Sequence, residues 1–368
     1  MSDPGISPAL LHILPPVSQP ADREQERSID ELRRLQKANE KREREAEKKL
    51  REKEEARAAR EARLLQTAAE WKTVILPQWE ARHARSKVQA MWRQGLPPCI
   101  RGAVWSRAIG NRLQINSDLF RIFSQHARER SGPVLGQEAT QNLIPLDLPR
   151  TLTDLAFFRR GSPLADQLQD ILQTYVRYRP DLGYVQGMSY IGAMLLLYMD
   201  SFEAFVALAN LLTNHWFYCF FMMKAADVRH HCDLFDAALA ACLPAIGQHF
   251  KEIGVDSATY IIDWMMTLYV HPLHLECAAF VWDNYTCDGE IVAVKAALGL
   301  LKFLEAGLLQ GDFEECMNLL HHFPPPDVLT PEALRAAMQQ VPLTPKKYRA
   351  LLQQHDSCQS DTYFHVEI

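Results

Sequence analysis

The chain lacks any pair of cysteines spaced Cys-x-x-Cys; its eight cysteines, at 99, 219, 232, 242, 277, 287, 316 and 358, are scattered. That scatter argues against a zinc module and fits reduced cytosolic thiols. There is no Gly-x-x-x-x-Gly-Lys loop to cradle phosphates and no Gly-x-Ser-x-Gly elbow to carry a nucleophile. The chain is therefore expected neither to bind nucleotide by itself nor to hydrolyse esters. Long apolar runs are missing: the longest, 190–199, stops at Asp200, whereas a bilayer-spanning helix needs about 20 residues. Positions 1–20 show no basic stretch followed by an apolar core, so no signal peptide is expected. Charge of one sign is not in large excess either. A formal net charge of −5 gives no reason to expect nucleic acid as partner. No segment alternates convincingly with period 2 and no repeat recurs at fixed period, which disfavours sheets and solenoids. What is there is a 368-residue chain, 48% hydrophobic and 23% charged. That is the composition of a soluble globular protein, expected in the cytoplasm with any membrane contact peripheral.

Composition divides the chain. Residues 1–21 carry prolines at 4, 8, 15, 16 and 20 and read as a disordered lead. Residues 22–70 read as a charged helix. Between 40 and 63 there are ten Lys or Arg against eight Glu, with Leu50 the lone large apolar residue. Opposite charges recur four residues apart, which supports helix. A coiled coil needs a sustained apolar seam, so a solvated single helix is favoured, with self-association through it unsupported but open. The window nets +2, too balanced for a polybasic membrane patch. Residues 71–94 read as a helical connector in which Pro77 limits continuity. From 95 to 323 apolar residues recur at helical spacing, with Phe120, Ile122 and Phe123 expected on the core side. Asp227, Asp256 and Asp312 are expected to cap helices, as are Thr330 and Thr344 ahead of prolines. Residues 324–368 read as C-terminal helices and tail. The expected fold is all-α.

Two short irregular segments stand out. Ile144–Arg150 contains Pro145 and Pro149, so it cannot be mid-helix, and Arg150 is expected on a loop or helix edge where it can be presented. Ser162 and Pro163 then open an amphipathic helix that ends before Pro180 and Gly183. Gln186 follows, between Gly183 and Gly187, which are expected to permit the turn that places it. Arginine is a fixed cation with a planar donor fork, and glutamine can orient a water by donating and accepting at once. Such a pair suits phosphoryl transfer, where catalysis is mostly positioning and charge stabilisation. Taken alone, Arg150 reads as half of a structural ion pair with Asp147, and Gln186 as an ordinary loop residue.

Together these segments resemble the second and third signature motifs of the TBC domain, the catalytic domain of GTPase-activating proteins for Rab GTPases. Ile144, Asp147 and Arg150 match Ile-x-x-Asp-x-x-Arg; Tyr184 and Gln186 match Tyr-x-Gln. Arg101 and Trp105 match the first motif, Arg-x-x-x-Trp, and the three occur in the family's order. The likeness covers residues 92–323, and the charged helix ahead of it is similar to one branch of the family. It implies a domain of about a dozen helices that accelerates GTP hydrolysis by a Rab-type GTPase in its GTP-bound form. Arg150 and Gln186 would be supplied in trans, while GTP and Mg²⁺ stay with the partner, so no cofactor is expected in this chain. The alternative is a non-catalytic Rab-binding adaptor in membrane trafficking, which has no need of Arg150 and Gln186 together. Asp147 is expected to hold the guanidinium or the loop, and Arg101 and Trp105 to be scaffold. The chain departs from the family where Thr151-Leu152-Thr153 stands in place of Thr-Phe-Pro, and where Pro149 directly precedes Arg150. The aromatics of 262–264 and 280–283 read as core, with the roles of Asp263 and Asp283 open. His230, His231, His271 and His274 hint at metal, but no carboxylate or cysteine completes a ligand set in sequence, so no metal is expected.

Overall fold

Opposite charges one turn apart run along the first helix, Pro20–Glu70. Lys41–Glu45, Lys48–Glu52 and Arg51–Glu55 pair at 4.0, 3.8 and 2.9 Å, each such exposed pair contributing about 0.2–0.5 kcal/mol. The computed structural model describes residues 20–129, 136–153, 155–159, 161–222 and 224–356. Residues 1–19 of the expected disordered lead, 1–21, and the tail from 357 lie outside them; residues 20 and 21 are already helical. The chain forms two units, 1–66 and 67–368. In the first, every side chain described is exposed, so it supplies no core.

The second unit contains only helices and turns among the described residues. Among the described residues, thirteen α-helices from Pro98–Ile109 to Phe313–His321 fall within 95–323, close to the dozen or so expected there. Proline sets several boundaries. At Pro77 the π-helical turn Trp71–Ile75 passes into a 3₁₀ turn, Leu76–Gln78. Side chains of Ser162, Asp200, Asp312 and Thr330 accept from backbone N–H groups three residues on, satisfying donors that the helix itself cannot. Asp312 and Glu315 complete a reciprocal capping box.

Three local expectations fail, one of them by a single position: Asp256 stands just before the N-cap Ser257, though its carboxylate still accepts from Ala258 N at 2.9 Å. Asp227 lies inside the first turn of Ala225–Cys242, whose N-cap position is Lys224; there it favours the helix only through the dipole. Ile122 is 45% exposed, and Ser124 and Ala127 take the buried face of Ser117–Glu129. Phe120 and Phe123, three residues apart, share a face, and Ile122 between them falls off it. Phe120 turns inward, its ring 5.0 Å from that of Phe205.

Met188–Leu196 is buried at every residue but Tyr190, as its nearly continuous apolar sequence requires. It packs against Pro163–Tyr178 and Ser201–Thr213. No single helix among the described residues is long and apolar enough to cross a membrane.

Candidate functional site

The Arg150 segment is shaped by its prolines. The short helix Ile144–Asp147 runs into a 3₁₀ turn, Leu148–Arg150, with Pro145 and Pro149 each near the start of its turn, where a missing N–H costs nothing. This turns Asp147 inward, 6% exposed, and Arg150 outward, its side chain 61% exposed. The Asp147 carboxylate pairs with the Arg150 guanidinium through Oδ1. Its Oδ2 accepts the Tyr184 hydroxyl at 2.7 Å. One buried carboxylate therefore ties the two candidate segments together. Buried Thr151 adds a second tie, with Oγ1 2.9 Å from both Asp147 O and Ser189 Oγ. Tyr190 adds a third by donating to Arg150 O at 3.0 Å. Leu152 adopts φ +49°, a left-handed conformation that costs a non-glycine residue about 1–3 kcal/mol. The surrounding hydrogen bonds over-determine it. Where this chain departs from the family's Thr-Phe-Pro, the backbone is thus still anchored, through Thr151.

Burial lifts the Tyr184 phenol well above its usual range; Ser189 opposes and Asp147 adds to the rise. Tyr184 therefore remains a donor. Burial, then the charges of Asp263 and Asp147, push the Tyr190 phenol up to about 12, with Arg150 opposing.

The Gln186 segment hangs between two glycines. Gly183 has φ +67°, and a Cβ there would lie 2.5 Å from Gln137 Cβ and 2.6 Å from Thr140 Oγ1. Gly187 has φ +102° and directly precedes Met188–Leu196. Only glycine tolerates such positions cheaply. Thr140 Oγ1 accepts Tyr184 N–H at 2.7 Å. Nearby, the buried pair Arg177–Glu138, at 2.6 Å, fastens the 138–143 segment to Pro163–Tyr178. Tyr184 is buried, whereas Gln186 is exposed. The sequence reading missed Thr140, Ser189 and Tyr190. Ser189 and Tyr190 follow Gly187 so closely that a turn anchor there was foreseeable; Thr140 acts across 44 residues and carries no local signal.

Arg101 and Trp105 do not join this cluster. Both are buried on Pro98–Ile109, as scaffold residues should be. Asp283, fully buried on Leu275–Asp288, accepts from Arg101 Nε at 3.2 Å, Trp105 Nε1 at 2.9 Å and Leu96 N at 2.9 Å. Burial pushes the Asp283 carboxyl up, and Arg101 pulls it back. Removing it leaves two buried donors unpaired and takes from buried Arg101 the nearer of its two carboxylates, leaving Glu276 at 3.6 Å. Asp283→Ala is expected to cost about 3–5 kcal/mol, read as a lower urea midpoint. A loss below about 1 kcal/mol, the scale of a surface ion pair, would contradict this anchoring role.

The histidines divide. His274 Nε2 meets Pro324 O at 2.8 Å. His271 Nδ1 does have a carboxylate, Asp263 Oδ2, at 2.8 Å, and that hydrogen bond raises its pKa above the usual value against burial. His231 is buried, and burial followed by the nearby His215 and His230 pushes it down to about 3. It meets a cysteine after all: His215, Cys219 and His231 each bring a ligand atom within 4.8 Å of the others. This corrects the expectation that no cysteine completes a set. Sequence spacing concealed it because Cys219 lies on the preceding helix.

The all-helical scaffold that presents these two turns has the fold of solved RabGAP TBC domains. The Chlamydomonas flagellar RabGAP TBC domain crystal structure superposes with a TM-score of 0.60 at 23% identity, covering 76% of this chain and 93% of that one. The sequence model of the Rab-GTPase-TBC domain matches residues 98–309, and the chain belongs to that family. TBC1 domain family member 12 of Xenopus tropicalis is 37% identical over 311 residues, covering 80% of this chain and 45% of the relative. TBC1 domain family member 14 of Rattus norvegicus is 38% identical over 270 residues, covering 69% and 39%. The chain thus spans less than half the length of these relatives.

Proposed function

We propose that the chain activates GTP hydrolysis by a Rab-type small GTPase in its GTP-bound form, supplying Arg150 and Gln186 in trans. The observation that carries this reading is the shared carboxylate. Asp147 holds Arg150 and Tyr184 at once, so the cation and the glutamine two residues past Tyr184 are positioned as one unit. On docking, the exposed guanidinium enters the partner's site and neutralises charge building on the transferred phosphate. Gln186 orients the attacking water by donating and accepting hydrogen bonds. Nucleotide and Mg²⁺ remain with the partner. Leu143, Leu146 and Phe157, 47%, 64% and 56% exposed in the same stretch of chain, offer the apolar surface a partner would cover.

The test is a single-turnover GTP-hydrolysis screen across a Rab panel, run with the full chain and with a chain beginning at Thr67. At least one Rab should be stimulated, equally by both chains, because residues 20–66 contribute no buried side chain among those described. Binding without stimulation of any Rab would contradict the catalytic reading and leave an adaptor. A loss of activity confined to the shorter chain would show that the first helix takes part.

A further inference from the structure

The chain bends by 83° between Ser201–Thr213 and His215–Phe221. Asn214 caps the new helix, its side chain accepting from Trp216 N–H at 3.1 Å. Residues four apart share a helix face, so His215 and Cys219 stand one above the other, with Cys219 Sγ 3.5 Å from His215 Nε2. From Ala225–Cys242, which packs on this helix, His231 reaches the same point, and the three ligand atoms lie within 4.8 Å of one another.

His231 is 7% exposed, and neither of its ring nitrogens has a hydrogen-bond partner. An unsatisfied buried polar group costs about 1–3 kcal/mol. The rings of Phe220 and Trp216, centred 5.2 and 4.7 Å from that of His231, explain how the imidazole is enclosed. They do not explain why two further metal-ligating side chains converge on it. In tetrahedral zinc sites, with Zn–S about 2.3 Å and Zn–N about 2.0–2.1 Å, sulfur and nitrogen ligands stand roughly 3.5 Å apart. That is the Cys219–His215 spacing found here.

We propose that His215, Cys219 and His231 form a Zn²⁺ site clipping together the helices His215–Phe221 and Ala225–Cys242, with water as fourth ligand on the exposed His215 side. Two imidazoles and one thiolate are a borderline-soft set that suits Zn²⁺ and not Mg²⁺ or Ca²⁺. Binding breaks the Cys219 S–H bond and forms an S–Zn bond, and the proton leaves to solvent. No electron is transferred.

The full chain, stripped with a chelator, should take up one equivalent of Zn²⁺ by calorimetry, release a proton, and melt at a higher temperature. His215 is exposed, so His215→Ala should fold normally. In it and in Cys219→Ala, zinc affinity should fall by roughly 100-fold or more, since even outer-shell partners are worth 10–100-fold, and the rise in melting temperature should vanish. Co²⁺, as a spectroscopic substitute, should give a thiolate charge-transfer band in the wild-type chain that Cys219→Ala lacks. Absence of zinc uptake by the wild-type chain would overturn the proposal, as would uptake unchanged in both variants.

Discussion

Arg150→Lys is expected to lose most of the stimulated GTP hydrolysis while melting like the wild-type protein. The side chain is 61% exposed and its ion pair is with a residue three positions away. Asp147 is buried but keeps its hydrogen bond from Tyr184, and lysine still offers it a cation across the same three residues, so the carboxylate is not left unpaired. What lysine cannot do is span two phosphate oxygens, because its ammonium is a point charge without a planar fork. An arginine supplied in trans at a phosphoryl-transfer site is worth about 10³–10⁵ in rate, roughly 4–7 kcal/mol of barrier. The measurement is single-turnover hydrolysis beside a thermal melt. Near wild-type rates in the lysine variant would sink the assignment of Arg150.

Gln186→Ala should also spare the fold, since Gln186 is exposed between two anchored neighbours. The turn itself is held by Gly183, Gly187 and the hydrogen bonds to Tyr184, none of which the substitution touches. Loss of a single preorganised donor costs about 10²–10³ in rate, and that is the expected fall in stimulated hydrolysis. Arg150 still stabilises charge in this variant. Its binding to a Rab loaded with a transition-state mimic should therefore drop less than turnover does. An equal drop in both would make 184–187 a docking loop.

Much of this site was legible in sequence because its constraints are local. Two prolines in seven residues forbid helix interior, so an edge position for Arg150 followed directly. Glycines on either side of Tyr184-Val185-Gln186 marked the turn. The amphipathic spacing from Leu164 to Val176 and the Ser162 cap set the helix between the segments, and the structure has it at Pro163–Tyr178. Long-range partners were not legible. Asp283 carries the first motif across 182 residues to Arg101, and Thr140 braces the Gln186 turn across 44; neither leaves a trace in periodicity. Ile122 failed for a different reason, since adjacent apolar residues on one helix compete for a single buried face. The His215–Cys219–His231 cluster was hidden because two of its members sit one turn apart on one helix and the third on the next.

The most direct test of the trans-supplied pair removes the partner's own glutamine. A Rab whose catalytic glutamine is changed to alanine should still be stimulated by the wild-type chain, because Gln186 takes over the water. Alanine leaves room where a bulkier leucine would block the site. The same Rab paired with Gln186→Ala should show almost no stimulated hydrolysis, since no group then holds the water. Stimulation that depends wholly on the Rab glutamine and is indifferent to Gln186 would contradict the proposed mechanism and leave Arg150 as the single catalytic group supplied.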